Sequence, residues 1–264
     1  MAEEAVFEIE HLGFSYGDNK VLDDLSLVIE RGRFYGMVGP NGCGKTTLLD
    51  LMVSNRDPAG GVIKFLGKEI KRFRKMALAK EITLVPQDFY INFPFTVKEI
   101  VLMGRHPYIP RFASPSTEDL RIVEEIMERL EIDRFGDKYI TELSGGEKQR
   151  VVFARALAQD APVLILDEAT SNMDIQYALK TLNIVVEHRE EKQGTVIAAM
   201  HNLNLAAAYC DRLVFMKSGR IVFQGDLEVL NEKTIKNVFE VEAKVYFDSY
   251  SNSKQVVFKK GMPT

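Results

Sequence analysis

The sequence predicts an α/β protein whose core is a parallel sheet, accompanied by an antiparallel β subdomain and a helical subdomain. Three observations support this prediction: short runs rich in valine and isoleucine, paired strand patterns near the N-terminus, and helical periodicity in the middle of the chain. With 264 residues, of which 46% are hydrophobic, the chain is long enough to bury one sizeable core. We therefore expect a single domain over residues 1–264, ending in a short tail at about residues 231–264.

Short apolar runs predict the strands of the parallel core. A parallel strand is covered by helices on both faces, so both of its faces are apolar. Runs of this kind occupy residues 36–38, 82–85, 163–166 and 195–199, with helical patterns between them. This alternation indicates an α/β core.

Antiparallel pairs are predicted near both ends of the chain. Residues 6–16 and 21–30 flank a turn at Gly17-Asp18-Asn19, which indicates two antiparallel strands of a β subdomain. Residues 212–216 and 220–224 flank Lys217-Ser218-Gly219 as a hairpin, and a helix is expected to begin near Asp226.

Residues from about 96 to 159 predict a helical subdomain inserted in the core. Apolar residues recur there at helical spacing, and Ser116 and Asp119 are placed as a capping pair. Pro107, Pro110 and Pro115 break the helical pattern, so we expect a rigid exposed loop between residues 105 and 116.

Charge and hydropathy narrow the class of protein. The chain has 34 Lys and Arg against 38 Asp and Glu, a formal charge of -4, which argues against affinity based on nucleic-acid phosphates. No apolar run approaches the roughly 18 to 20 residues of a membrane-spanning helix, and the N-terminus lacks the pattern of a signal peptide. With only Cys43 and Cys210, the chain fits a reducing cytoplasm.

A glycine-rich loop lies between an apolar strand and a helix, and it has the pattern of a phosphate-binding loop. Its glycines let successive backbone N–H groups face the phosphates, Lys45 reaches the β and γ oxygens, and the Thr46 hydroxyl faces Mg²⁺. The alternative is a glycine-rich turn with a chance lysine. The loop reads Gly39-Pro40-Asn41-Gly42-Cys43-Gly44-Lys45-Thr46-Thr47.

Two carboxylates follow the apolar run at residues 163–166. They are predicted at the carboxyl edge of a parallel sheet, where ligands bind. Asp167 is suited to hold Mg²⁺ and Glu168 to polarise an attacking water, because phosphoryl transfer needs charge neutralisation and an oriented nucleophile. The alternative is a strand that ends in solvated acids.

A second anion site is predicted at the start of a later helix. Ser144 is suited to cap this helix, and Gly145 and Gly146 leave backbone N–H groups uncovered at the positive end of the helix dipole. The alternative is an ordinary capped helix start.

The chain resembles, from about residue 6 to residue 230, the nucleotide-binding subunit of ATP-binding cassette (ABC) transporters. The Walker A motif corresponds to residues 39–47, the signature to residues 143–147 and Walker B to residues 163–168. This resemblance implies an ABC ATPase with a RecA-like P-loop NTPase core, ATP as the nucleotide and Mg²⁺ as the metal.

The resemblance assigns roles to four further residues. It implies that Tyr16 stacks on adenine, Gln87 senses Mg²⁺ and links to the membrane subunit, Asp174 contacts a second copy, and His201 contacts the γ-phosphate. Taken alone, Tyr16 is more often simple packing, Gln87 an ordinary loop residue, Asp174 a helix N-cap and His201 a structural histidine.

Cys43 stands where family members more often have alanine or serine, Ala169 where many have proline, and Met173 where leucine is usual. None of these differences removes a reacting group. Backbone N–H groups and Lys45 near Cys43 favour its thiolate, so one hypothesis is that Cys43 reacts readily with N-ethylmaleimide. The alternative is an inert side chain that is buried under the loop.

The family resemblance implies that each ATP binds between the loop of one copy and Ser144, Gly145 and Gly146 of another, so the chain acts as a homodimer. It also implies separate polytopic permease subunits that dock on the helical subdomain beside Gln87, and indirectly an extracytoplasmic substrate-binding protein. The expected location is peripheral, on the cytoplasmic side of the cell membrane, with no nucleic acid as partner.

Residues 101–108 resemble importers of ferric siderophores, haem and vitamin B12, so the expected cargo is a metal chelate such as chelated iron. Zinc, manganese, molybdate or tungstate importers are the alternatives. A non-transport ABC ATPase acting on ribosomes or DNA is a further alternative, although such proteins usually have two cassettes or a long coiled-coil insertion. A sugar importer with a regulatory domain conflicts with the short tail.

Overall fold

The structure is a computed structural model that describes residues 4–87, 89, 93–171 and 173–260. The chain forms two compact units. Unit 1 consists of Met1–Arg72 and Thr195–Thr264, and unit 2 of Phe73–Gly194.

Strands and helices alternate along much of the chain. The strands are β1 (Ala5–Tyr16), β2 (Asn19–Glu30), β3 (Phe34–Val38), β4 (Gly60–Phe65), β5 (Lys68–Glu69), β6 (Ile82–Val85), β7 (Val163–Asp167), β8 (Thr195–Ala199), β9 (Arg212–Lys217), β10 (Arg220–Gly225), β11 (Ala243–Asp248) and β12 (Ser253–Phe258). The α-helices are α1 (Lys45–Met52), α2 (Lys75–Glu81), α3 (Val97–Leu102), α4 (Thr117–Arg129), α5 (Gly145–Ala158), α6 (Ile175–Lys192), α7 (Leu203–Tyr209) and α8 (Glu232–Phe239).

Unit 1 contains an antiparallel sheet with the strand order β2-β1-β4-β5. Apolar side chains alternate with polar ones along β1 and β2, and the apolar face is buried at Phe7, Ile9 and Ile29. Tyr16 pairs with Asn19, so the turn is shorter than predicted and Asn19 belongs to β2. The predicted antiparallel pair is confirmed.

Unit 1 also contains strands in the order β10-β9-β3-β8. β3 runs parallel to both β8 and β9, and every residue of β3 and β8 is buried. This confirms two of the predicted parallel strands, and it sends the segments that follow β3 and β8 to the same edge. The predicted β9–β10 hairpin is confirmed, with Lys217 opposite Arg220.

The C-terminal part of unit 1 differs from the prediction. Asp226 caps only a 3₁₀ turn at Leu227–Val229, so the prediction that a helix begins there is wrong. The helix α8 starts later because Asn231 is its N-cap, with its side-chain oxygen 3.0 Å from the Thr234 amide. The tail ends in the β11–β12 hairpin, whose Val256 amide donates to Asn204 at 2.7 Å.

Unit 2 contains the parallel pair β6 and β7, which confirms the other two predicted strands. The region predicted to be helical contains α3, α4 and α5; Thr96 is the N-cap of α3, and Gln159 is the C-cap of α5. Across the described part of the chain, no helix has both the length and the apolarity needed to cross a bilayer.

The capping pair predicted for α4 is confirmed, because Ser116 and Asp119 form a reciprocal capping box. Arg105 is buried beside it and donates to Asp119 at 2.9 Å and to the Ala158 carbonyl at 2.9 Å. The exposed loop predicted after Arg105 is present, and Phe112 in this loop is 99% exposed.

Candidate nucleotide-binding site

The glycine-rich loop joins β3 to α1 in unit 1, as the motif requires. Gly44 is the N-cap of α1 with a left-handed φ of 105°, and the first turn of this helix has no acidic residue. The uncompensated positive end of the helix dipole therefore favours an anion. Thr46 is exposed in this turn, while Thr47 is buried.

Lys45 is buried and its ammonium group is directed toward the loop. The Nζ atom donates to the carbonyl oxygens of Gly39 at 3.0 Å and Pro40 at 3.2 Å. These hydrogen bonds hold the positive charge within the concave side of the loop, where phosphate oxygens are expected.

The packing of the loop also fits a phosphate cradle. A β-carbon on Gly39 would overlap the Met216 carbonyl oxygen and lie 2.8 Å from Cys43 Sγ. The chain can therefore approach β9 this closely only with glycine at position 39. Asn41 and Gly42 are exposed between these buried positions, so part of the loop backbone faces solvent.

Cys43 is 4% exposed, and its thiol packs against Gly39. Burial away from solvent limits the access of a reagent to the thiol. The structure therefore favours the inert alternative over ready reaction with N-ethylmaleimide.

Tyr16 lies at the end of β1 and is 44% exposed. Its ring packs edge-on against Phe14, with centroids 5.0 Å apart, and the Arg56 guanidinium lies 4.9 Å from its centroid. A β-carbon on Gly44 would lie 3.2 Å from the Val21 carbonyl oxygen, so β2, the partner of β1, reaches the loop.

His201 lies at the same edge of unit 1 as the loop. The Met200 amide donates to the Met37 carbonyl at 3.0 Å, which extends the parallel pairing of β3 and β8 to their carboxyl ends. Gly39 follows one strand and His201 follows the other, and the His201 side chain is exposed. The structure therefore brings together two sequence-predicted features that are far apart in the chain.

Unit 2 gathers a second group of predicted residues at one strand edge. Val85 pairs with Leu166, so Gln87 follows β6 at the edge where β7 ends at Asp167 and Glu168 follows. Asp167 is 5% exposed. Glu168 has a φ of 50°, and its carbonyl accepts from the Ser171 amide at 3.0 Å. Eleven other non-glycine residues of the described ranges also have a positive φ, so this backbone conformation does not by itself mark a functional site.

The α5 N-terminus confirms that Ser144 is a helix cap. The Ser144 hydroxyl donates to Glu147 at 2.7 Å and accepts from the Glu147 amide at 3.4 Å. Hydrogen bonds from the Ser144 side chain and backbone hold the pKa of Glu147 below its ordinary value. Gly145 is exposed and Gly146 is half-buried at this helix end.

Asp174 is the N-cap residue of α6, and its carbonyl accepts from the Ala178 amide at 2.9 Å. Within the described ranges, the Asp174 side chain makes no capping hydrogen bond to α6. Its position agrees with the N-cap alternative, but the hydrogen bond by which a capping aspartate stabilises a helix is not made. Asn172, two positions before Asp174 in the chain, lies outside the described residues.

The residues predicted to bind Mg²⁺ have suitable chemistry in each unit. Thr46 of unit 1 offers a hydroxyl oxygen, and Gln87 and Asp167 of unit 2 offer amide and carboxylate oxygens, the kind of ligand that Mg²⁺ takes. Sequence reasoning missed Met216 and Gly219, whose backbones contact the loop. The turn residues Ser218 and Gly219 were visible in the sequence. They predicted the β9–β10 hairpin, but they did not indicate that this hairpin contacts the glycine-rich loop.

Comparisons with known proteins agree with this geometry. Residues 22–171 match the family model described as ABC transporter. The chain is 39% identical over 242 residues to the cobalamin import ATP-binding protein BtuD of Halobacterium salinarum. The match covers 91% of this chain but only 60% of that relative, so the chain spans less than two thirds of that protein's length.

Other relatives and a solved structure match over most of their length. The iron(3+)-hydroxamate import ATP-binding protein FhuC of Bacillus subtilis is 33% identical, with 92% of this chain and 91% of the relative covered. The hemin import ATP-binding protein HmuV of Thermobifida fusca is 34% identical, with coverages of 91% and 84%. A metal-chelate type ABC transporter in an inward-facing conformation superposes with a TM-score of 0.81 at 26% identity, covering 97% of both chains.

Proposed function

Because this chain belongs to the ABC transporter family, we propose that it binds ATP with Mg²⁺, hydrolyses ATP and thereby drives import through a separate permease. One observation supports this proposal most directly: β3, the glycine-rich loop and α1 follow one another, with the Lys45 ammonium held inside the loop. Lys45 and the backbone N–H groups of the loop bind the phosphates, and Tyr16 stacks on adenine.

The remaining residues divide the work of hydrolysis. Thr46, Gln87 and Asp167 hold Mg²⁺, which when bound neutralises charge on the phosphate oxygens. Glu168 accepts a proton from the attacking water and orients it, while His201 contacts the γ-phosphate. The position of Glu168 directly after Asp167, at the carboxyl end of β7, supports its role, because ligands of parallel sheets bind at this edge.

Two copies of the chain act together in this proposal. Ser144, Gly145, Gly146 and Asp174 of one copy face the nucleotide bound by the loop of the other, and a two-fold axis makes both sites identical. The permease docks on the helical region beside Gln87, so the chain lies peripherally on the cytoplasmic side of the membrane. An extracytoplasmic binding protein delivers the cargo to the permease.

The proposed cargo is a metal chelate such as a ferric siderophore, haem or vitamin B12. The support comes from relatives named for cobalamin, iron(3+)-hydroxamate and hemin import. Zinc, manganese, molybdate and tungstate remain the competing cargoes.

Uptake by cells that lack the gene tests this function. Cells complemented with the wild-type chain should take up one labelled chelate, and cells complemented with Lys45→Ala should not. If cells instead take up zinc, manganese, molybdate or tungstate, and this uptake depends on Lys45, then that ion and not a metal chelate is the cargo. If ribosomes, RNA or DNA stimulate ATP hydrolysis, and no uptake depends on this chain, then the chain is a non-transport ATPase and the proposed transport function is wrong.

A further inference from the structure

We propose that the turn between β9 and β10 is a brace for the phosphate-binding loop, with Gly219 as the positioning residue. The brace consists of Met216, Gly219 and Arg220 together with Asp23 of β2, all within unit 1. The inference rests on the proposed nucleotide binding by residues 39–47, and it adds the part of the fold that sets the loop's conformation.

Gly219 is hydrogen-bonded on both sides through its backbone. Its N–H donates to the Cys43 carbonyl at 3.1 Å, and its own carbonyl accepts from the Asp23 amide at 3.1 Å. The β9–β10 turn therefore links the middle of the loop to β2. Both hydrogen bonds use main-chain atoms, so their geometry depends on how closely the β9–β10 turn approaches the loop and β2.

That approach requires glycine at position 219. Gly219 has a φ of 77°, and a β-carbon there would overlap the Val21 carbonyl oxygen and lie 3.2 Å from the Leu22 Cα. The same Val21 carbonyl lies close to Gly44. An alanine at position 219 would push the turn away from β2 and lengthen the bond to Cys43.

An ion pair on the outer side keeps the turn in place. Arg220 Nε lies 2.9 Å from Asp23 Oδ2. Hydrogen bonds from Lys20 and Arg220 hold the pKa of Asp23 below its ordinary value, so the carboxylate stays charged at neutral pH. The pair is exposed, so it tethers the turn only weakly and the close packing of Gly219 supplies most of the constraint.

The bond to Cys43 has a direct consequence for phosphate binding. Cys43 C=O and Gly44 N–H belong to one planar trans peptide, in which these two groups point in opposite directions. When the Cys43 carbonyl is held toward Gly219, the Gly44 amide must point away from the brace. The brace thus sets the direction of one N–H donor in the anion-binding loop before nucleotide arrives.

The test compares Gly219→Ala with the control Gly67→Ala. Gly67 lies in the turn between β4 and β5 of the same unit with a φ of 72°, but nothing lies within 4 Å of its β-carbon position. Both variants introduce the same backbone strain, and only Gly219→Ala disturbs the loop. MgATP affinity is measured by calorimetry, and N-ethylmaleimide labelling of Cys43 and Cys210 by peptide mass spectrometry.

Gly219→Ala should weaken MgATP binding by about tenfold, roughly the effect of one misplaced hydrogen bond. It should also label faster at Cys43 with no change at Cys210, which is buried elsewhere in unit 1. Gly67→Ala should match the wild type in both measurements. A general loss of stability would raise labelling at both cysteines, and that outcome contradicts the brace.

Failure of the brace and failure of nucleotide binding give different results. If the wild-type chain does not bind MgATP, the proposed function is wrong. The brace is then tested by Cys43 labelling alone. Unchanged affinity and unchanged Cys43 labelling in Gly219→Ala overturn the brace. If this variant does not fold, amide hydrogen exchange in the wild-type chain decides. MgATP should slow exchange at the Gly219 amide, which donates to the Cys43 carbonyl of the loop, and leave exchange at Gly67 unchanged. Exchange at Gly219 that MgATP does not slow overturns the brace.

Discussion

Arg105 and Asp119 form an ion pair inside unit 2, with side chains only 8% and 10% exposed and Nε 2.9 Å from Oδ1. Asp119 also accepts from the Ser116 hydroxyl at 2.6 Å, and Arg105 donates to the last turn of α5 at Ala158. One carboxylate therefore joins the start of α4 to a buried arginine that holds the end of α5.

Replacing Asp119 with asparagine should lower the free energy of unfolding by about 3 kcal/mol, because Arg105 would remain buried without its counter-charge. Hydrogen bonds from Ser116, with a further contribution from Arg105, hold the pKa of Asp119 below its ordinary value of 3.8. The stabilisation is complete above that value and is lost as the pH falls through the lower pKa of the folded state. Urea unfolding at several pH values measures the difference.

The control for Asp119→Asn is Glu118→Gln. Within the described residues, the ion pair of Glu118 is with Arg121, which is also exposed. Removing the Glu118 charge should therefore lower the free energy of unfolding by less than about 0.5 kcal/mol. Equal destabilisation by both substitutions would show that the buried pair contributes nothing specific. A difference that persists unchanged in acid would contradict the role of the Asp119 charge.

Removing the Tyr16 ring should weaken ATP binding. Tyr16→Ala loses the aromatic surface offered to adenine, so the dissociation constant should rise about fivefold, equivalent to about 1 kcal/mol. Tyr16→Phe should bind like the wild type, because stacking needs the ring and not the hydroxyl. Calorimetric titration with MgATP measures both variants.

Tyr250→Ala is the matched control for Tyr16→Ala. Tyr250 is 99% exposed in the turn of the β11–β12 hairpin, so its replacement removes an aromatic ring from unit 1 without touching the loop. If Tyr16→Ala and Tyr250→Ala both bind ATP like the wild type, the adenine does not stack on Tyr16.

A bulky cation at the α5 N-terminus should block the proposed dimer site. Ser144→Arg should bind MgATP at Lys45 but lose hydrolysis, and in a Glu168→Gln background it should elute as a monomer in size-exclusion chromatography. Thr96→Arg is the control, because it removes a capping box of the same type from α3. An active, dimeric Ser144→Arg protein would contradict binding of ATP between two copies.

Much of the fold followed from local signals in the sequence. The buried run at residues 82–85 and the capping pair at Ser116 and Asp119 depend on short-range periodicity and on hydrogen bonds within a helix turn, and both are confirmed. The order of strand, loop and helix around residues 39–47 was also visible, because glycine spacing and the flanking patterns are local.

Other features depend on contacts between distant segments. The bond from Gly219 to Cys43 joins residues far apart in the chain, and the turn pattern at Ser218-Gly219 does not name the partner. Asp226 and Asn231 are both good caps, so the cap residues alone do not indicate that the longer helix follows Asn231. The β11–β12 hairpin gave a weak alternation, because Tyr246 and Phe247 are both exposed and interrupt the pattern.

The hydrolysis assay of Glu168→Gln tests the central claim most directly, because Glu168 is proposed to activate the attacking water. The variant should bind MgATP with wild-type affinity and lose about 10²- to 10⁴-fold in the rate of phosphate release, the scale of a positioned general base. Circular dichroism and calorimetry of the same preparation establish that the variant is folded and binds nucleotide. Turnover equal to the wild type in such a preparation would contradict the assignment of Glu168 as the residue that activates water.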